Sequence, residues 1–69
     1  MEDVKKRVGQ NVRRLREEAG LSQEKLALEA DLDRTYVSGV ERGVRNPTVT
    51  VLARIAKALK TDPDKLLIR

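Results

Sequence analysis

Apolar residues recur at steps of three and four along most of the chain, which is the spacing of one face of an α-helix. The first such stripe consists of Val4, Val8, Val12, Leu15 and Ala19. It predicts a helix over residues 4–19, because Gly20 then supplies the left-handed residue that commonly ends a helix. The sequence has no run that alternates apolar and polar residues as a strand does.

Shorter stripes predict three more helices, over residues 23–30, 34–42 and 49–59. Each follows a residue type that caps helix N-termini, and these caps are Ser22, Asp33 and Thr48. A fifth, short helix is predicted from Pro63, since Asp62-Pro63 is typical of a cap followed by the first helical position. We therefore expect an all-α fold of five short helices, forming one domain over residues 1–69.

The second and third predicted helices are separated only by Asp31-Leu32-Asp33. The third helix needs just Val37 and Val40 to face a core, which leaves its remaining side chains pointing outward. This outward set is Arg34, Thr35, Ser38 and Gly39. A two-turn helix with so little apolar surface contributes little to a core, so we expect its exposed face to contact a partner. The spacing of these two helices is that of a helix-turn-helix. In that motif the second helix lies in a DNA major groove.

Composition removes several classes of function. The chain has no cysteine and no histidine, which excludes disulfides, thiolate–zinc sites and imidazole catalysis. It also lacks a glycine-rich phosphate loop and metal-ligand spacing, so we expect no enzyme activity, metal or cofactor. No apolar run approaches the roughly 20 residues that span a bilayer, and the N-terminus lacks a signal-peptide core. We expect a cytoplasmic protein without membrane contact.

The charge of the chain favours a nucleic acid partner, with a net value of +4 and an isoelectric point near 9.9. The distribution is uneven. Residues 22–43 hold three basic and five acidic side chains, whereas residues 42–60 hold five basic and no acidic ones. Attraction to phosphates would therefore come mainly from segments flanking the motif. The alternative is that the basic stretch is an ordinary solvated face.

Three groups of residues carry a resemblance to a known family. They are R-x-x-x-G-L-S-Q ending the first helix, Leu26-Ala27 in the second, and V-E-R-G closing the third. With these the chain resembles, over nearly its whole length, the Cro/repressor-type helix-turn-helix domain of phage repressors and small bacterial regulators. Residues 32–48, LDRTYVSGVERGVRNPT, are similar to restriction–modification controller proteins in particular. The resemblance implies a five-helix, lambda-repressor-like fold and a transcriptional regulator that binds a palindromic double-stranded DNA operator as a homodimer.

The resemblance also assigns roles to individual positions. It implies base reading by Arg34, Thr35, Ser38 and Gly39, and contacts to the DNA backbone from Gln23, Arg45 and Thr48. It further implies a structural ion pair between Arg16 and Glu41. The chain departs from the family at Asp31, a turn position that is often glycine there. Aspartate tolerates the left-handed conformation better than most residues, so we expect the turn to survive.

Most of these positions have a second interpretation. Arg34 can pair with guanine through two hydrogen bonds or be a solvent-exposed arginine. Thr35 and Ser38 can contact a base or only the first turn of their own helix. Gly39 can allow close approach to DNA or tight packing within the protein. Tyr36, the only aromatic residue, can direct its hydroxyl to the DNA backbone or be plainly half-buried.

The C-terminal part offers a dimer surface. Leu66 and Leu67 would point about 100° apart on a helix, so only one can enter a small core. We expect Leu66 to be buried and the partner chain to meet Thr61, Pro63, Leu67 and Ile68. The alternative is a fraying end, where exposed apolar residues carry no meaning. The same exposed end leaves open a second function, an antitoxin or adaptor module that binds another protein. We find no sequence feature of a small-molecule effector site.

Overall fold

The computed structural model of the chain describes residues 3–68. Within this range the chain forms four α-helices and one 3₁₀ helix, and it contains no strand. The α-helices are α1 (Val4–Glu18), α2 (Gln23–Ala30), α3 (Arg34–Glu41) and α4 (Val49–Ala58), and the 3₁₀ helix is Pro63–Leu66. The all-α class is confirmed, and the four α-helices begin at the predicted residues and end at most one residue early.

The predicted fifth helix begins at Pro63 as expected, but it is a short 3₁₀ helix and not a fifth α-helix. The N–H groups of Lys65 and Leu67 donate to carbonyls three residues back, and the Asp62 side chain caps no N–H. The carbonyls of Leu66 and Ile68 instead accept hydrogen bonds from the Asn11 side chain of α1. A contact across more than fifty residues therefore anchors the C-terminal segment to α1.

The predicted caps account for the helix starts. Ser22 Oγ accepts from Lys25 N–H at 3.0 Å, and Thr48 Oγ1 accepts from Val51 N–H at 3.1 Å. Asp31, which ends α2, adopts the left-handed conformation with φ 57°, as its place in the turn requires. Local hydrogen bonding thus fixes where α2 and α4 begin, and the left-handed conformation of Asp31 marks where α2 ends.

The core lies where all five elements meet. Its fully buried members include Val12, Leu26, Val37, Val40, Ile55 and Leu66. Leu66 is buried and Leu67 is 44% exposed, which confirms the prediction that Leu66 enters the core. Val4 is half exposed, however, so the apolar face of α1 begins only at Val8. None of the helices described over residues 3–68 is long and apolar enough to cross a membrane.

The helices α1 and α3 approach each other at a glycine. A Cβ added at Gly9 would lie 2.7 Å from the carbonyl oxygen of Glu41 and would also clash with the carbonyl oxygen of Val40. Only a residue without a side chain permits this crossing, since main-chain atoms cannot move aside. The close approach sets the position of α3 relative to the rest of the molecule.

Candidate nucleic-acid interface

The outward face of α3 is the first component of the site. Asp33 caps the helix by accepting from Thr35 N–H at 2.8 Å, and Val37 and Val40 are completely buried beneath it. On the opposite side Arg34 and Thr35 are exposed. The capped end of α3 therefore projects an arginine and a threonine from a rigid base.

Ser38 and Gly39 lie less openly on this helix. Ser38 is half-buried, and Gly39 is buried, which differs from the predicted outward position. The side chain of Arg45 covers Gly39, so that a Cβ added there would lie 2.5 Å from Arg45 Cγ. The packing alternative for Gly39 thus has a structural basis, and the obstacle is a flexible side chain instead of backbone.

Arg45 also contacts the one aromatic ring of the chain. Its guanidinium carbon lies 5.8 Å from the centroid of the half-buried Tyr36 ring, within the range of a cation–π interaction. Arg45 comes from the loop after α3, yet its side chain lies across the surface of that helix. The structure therefore brings Arg45, Tyr36 and Gly39 together beside the exposed N-terminal residues of α3.

A buried ion pair joins α1 to the end of α3. Arg16 Nε donates to Glu41 Oε2 at 2.6 Å, and Arg16 Nη2 donates to Glu41 Oε1 at 3.1 Å. The side chains are only 12% and 3% exposed, and Arg16 Nη1 also donates to the Leu21 carbonyl at 2.7 Å. The hydrogen bond with Glu41 raises the pKa of the Arg16 guanidinium above its ordinary range, against the lowering effect of burial.

Gln23 belongs to the same network. Its Nε2 donates to Glu41 Oε1 at 3.0 Å, and the residue is half-buried at the first position of α2. Thr48 is the N-cap residue immediately before α4 and is exposed. Free N–H groups at helix starts attract anions, so both predicted backbone-contacting residues lie at positions suited to phosphate.

The turn of the motif is held by an arginine that the sequence analysis missed. Arg54 of α4 donates from Nε to the Ala30 carbonyl at 3.0 Å and from Nη2 to the Asp31 carbonyl. These carbonyls end α2, where helix geometry leaves acceptors without intrahelical donors. No local pattern marks Arg54, because its partners are more than twenty residues away.

Asn11 was missed as well, although a signal exists for it. It lies three residues after Val8 on the apolar stripe of α1, and a polar residue there must be buried. The structure buries it and ties it to the Leu66 and Ile68 carbonyls, the first at 2.9 Å.

The residues proposed for a dimer surface lie together on the C-terminal segment. Leu67 and Ile68 are each 44% exposed, Pro63 is exposed, and Thr61 is half-buried. The N–H of Thr61 donates to the Ala56 carbonyl at 2.9 Å, which fixes the start of the segment against α4. For metal binding, residues 3–68 bring together no group of three or more acidic side chains able to hold an ion.

Comparison with known proteins places this geometry in a class. A family model for the helix-turn-helix matches residues 12–66. The chain is 50% identical over 60 residues to the control protein C.BamHI of Bacillus amyloliquefaciens, covering 86% of this chain and 74% of that protein. A solved structure, that of the restriction–modification controller protein C.AhdI from Aeromonas hydrophila, is similar to this chain with a TM-score of 0.88. The two sequences are 47% identical, and the match covers 90% of this chain and 94% of that one.

A further solved structure contains DNA. It is the tetramer of the restriction–modification controller protein C.Esp1396I in complex with its natural 35-base-pair operator. This chain is 39% identical to it with a TM-score of 0.83, covering 90% of this chain and 82% of that one. The chain described here therefore belongs to the helix-turn-helix family. Within that family its homologues include the controller proteins of restriction–modification systems.

Proposed function

We propose that this chain is a transcriptional regulator that binds double-stranded DNA sequence-specifically, as a homodimer on a palindromic operator. The observation that carries the proposal is the outward face of α3, where exposed Arg34 and Thr35 project from a helix anchored by Val37 and Val40. A relative with a similar fold forms a complex with its operator, which supports α3 as the major-groove element. The one domain, residues 1–69, would act in the cytoplasm.

The proposed base readers are Arg34, Thr35, Ser38 and Gly39. Arg34 matches the two acceptors of guanine, O6 and N7, with the fork of its guanidinium. Thr35 offers a hydroxyl or a methyl group to a base edge, and Ser38 offers a hydroxyl. Gly39 contributes no side chain, so its part would be to let α3 lie close to the DNA once Arg45 moves.

The proposed backbone contacts come from Gln23, Tyr36, Arg45 and Thr48. Gln23 and Thr48 are at helix starts, where free N–H groups favour a phosphate. Arg45 supplies a positive charge and lies against the Tyr36 ring, whose hydroxyl would point to the same strand. These contacts would set the register of the protein on DNA without reading sequence.

Selection from a random double-stranded DNA library tests the proposal. The expected result is enrichment of one palindromic site, whose half-sites are centred about 10–10.5 base pairs apart or a multiple of this. Recovery of unrelated sequences at a low salt concentration only would contradict it, because such binding is purely electrostatic. The same selection in the presence of a cell lysate would favour the alternative, that this chain is an antitoxin or adaptor module, if a partner protein displaced the DNA.

A further inference from the structure

Glu41, an acidic residue, is hydrogen-bonded to Gln23, which is proposed to contact a DNA phosphate. The Glu41 side chain is only 3% exposed, and its carboxylate accepts three hydrogen bonds from two residues. Two come from Arg16 and the third, at 3.0 Å, comes from the side-chain amide of Gln23. A purely structural ion pair between α1 and α3 would not require this link to α2.

The hydrogen bond to Glu41 constrains the half-buried side chain of Gln23. A glutamine amide carries two N–H groups, and the bond to Glu41 uses one of them. The amide has a second N–H besides this one, and Gln23 is the first residue of α2, whose leading backbone N–H groups have no partners within the helix. An otherwise mobile side chain is thereby held next to a main-chain anion site before any DNA arrives.

Arg16 makes this arrangement electrostatically workable. A lone carboxylate close to a phosphate would repel it, but Glu41 forms a two-point ion pair with Arg16 that compensates its charge.

We infer that Glu41 is a positioning residue for DNA binding: paired with Arg16, it orders Gln23 for contact with a phosphate at the start of α2. The inference rests on the proposed function and on the phosphate contact of Gln23. It adds that this contact is prepared in the free protein by α1 and α3, the elements that form the ion pair.

A double-mutant cycle on operator affinity tests the coupling, with Gln23→Ala, Glu41→Ala and the double variant. We expect Gln23→Ala to weaken binding about tenfold, the value of a hydrogen bond to a charged group. Glu41→Ala should weaken it by about 3–10-fold, because Gln23 must then be ordered on binding. In the Glu41→Ala background, Gln23→Ala should weaken binding by a smaller factor than it does in the parent protein. The logarithm of that factor should be no more than about half of its parental value.

Affinities are measured at a temperature where circular dichroism finds every variant folded. Ile55→Ala is the control, because it opens a cavity in the core outside the network and should bind as the parent does once folded. Binding by Glu41→Ala at parental affinity, or an undiminished factor for Gln23→Ala in that background, overturns the inference. Gln23→Ala at parental affinity overturns it too, whereas the operator selection still decides the proposed function separately.

A measurement on the parent protein covers the case in which Glu41→Ala does not fold. The chain has two glutamines, Gln23 and the exposed Gln10, so their side-chain amide signals can be compared by NMR. We expect the Gln23 amide to be rigid in the free protein and to shift on operator binding while remaining rigid, with Gln10 mobile throughout. Equal mobility of the two amides in the free protein would overturn the inference.

Discussion

At the scale of single residues, two glycines on facing helices have opposite roles. Gly9 in α1 faces main-chain oxygens of α3, which cannot retreat without separating the helices. Gly39 in α3 faces the side chain of Arg45, which can rotate away. Because Arg45 also contacts Tyr36, the mobility of one side chain decides how much of α3 is exposed. The sequence marks both positions as helical glycines and cannot tell them apart.

The two glycines give the first prediction. Gly9→Ala should destabilise the fold by about 1–3 kcal/mol or more through overpacking. Gly39→Ala should cost less, because a gain of about 0.5–1 kcal/mol in helix propensity offsets the displacement of the Arg45 side chain, whose Cγ lies 2.5 Å from the added Cβ. Urea unfolding of both variants beside the parent measures the difference. If Gly9→Ala matched the parent in stability, the close crossing of α1 and α3 would be incorrect.

Arg16 gives the second prediction. Arg16→Ala leaves Glu41 buried without its counter-charge, which should cost about 3 kcal/mol. Arg13→Ala is the matched control on the same helix. Its pair with Glu17 has exposures of 66% and 56%, and its loss should change stability by less than about 0.5 kcal/mol. Thermal midpoints compare the two, and equal midpoints would mean that the Arg16 pair contributes nothing beyond a surface contact.

The pKa of Arg16 extends this prediction to pH dependence. Because the pKa is raised in the folded state, the stability it contributes is complete below the unfolded pKa and is lost only as pH rises through the folded one. Both lie far above neutrality. The loss of unfolding free energy caused by Arg16→Ala should therefore not change through titration of Arg16 between pH 6 and pH 9. Repeating the unfolding measurement across this range checks the statement.

At the scale of elements, local chemistry made the four α-helices predictable. Ser22, Asp33 and Thr48 accept N–H groups two or three residues ahead, so the starts of α2, α3 and α4 are written in short stretches of sequence. The C-terminal segment begins a helix at the predicted Pro63, but its attachment to α1 through Asn11 is encoded in no local pattern. Likewise, Arg54 closes the turn from α4, and only the folded chain brings it there.

The candidate site likewise has some features that local sequence predicts and others that only the folded chain shows. The exposure of Arg34 and Thr35 follows from which valines of α3 are buried, and this pattern is local. The cover that Arg45 places over Gly39, and the bond between Gln23 and Glu41, depend on side-chain positions that spacing does not encode.

Asn11 supplies the prediction at this scale. Asn11→Ala removes the donor for two carbonyls of the C-terminal segment, which should destabilise the fold by about 1–3 kcal/mol. It should also loosen Leu67 and Ile68 and so weaken any dimer built on them. Gln10→Ala, at the adjacent exposed position, is the control and should change neither property. Unfolding and sedimentation measure the two effects, and an unchanged stability of Asn11→Ala would contradict the anchoring role.

At the scale of the whole molecule, size favours a pair of chains on DNA. The chain measures 33 × 22 × 21 Å, and α3 is only eight residues long. One such helix covers a few base pairs, whereas recognition helices in dimers of this kind lie about 34–36 Å apart. Two chains side by side can span that distance, and we propose that they meet through Thr61, Pro63, Leu67 and Ile68.

The assembly prediction concerns the two exposed apolar residues of that segment. Leu67→Glu and Ile68→Glu should each raise the dimer dissociation constant by at least about tenfold, because a charge would be buried at the interface. Sedimentation over a wide concentration range measures this. Leu28→Glu is the control, since Leu28 is 73% exposed on α2, outside the proposed surface. Parental dimerisation of both C-terminal variants would place the interface elsewhere.

The central claim is that α3 reads the operator, and changing its first residue tests this directly. Sites selected by Arg34→Ala from the random library should lose preference at one base pair in each half-site, with affinity for the parental site reduced by about 1–3 kcal/mol. Arg45→Ala should instead leave the consensus intact and flatten the salt dependence by about one unit of slope. If Arg34→Ala selected the same consensus as the parent with equal stringency, α3 would not be the reading helix.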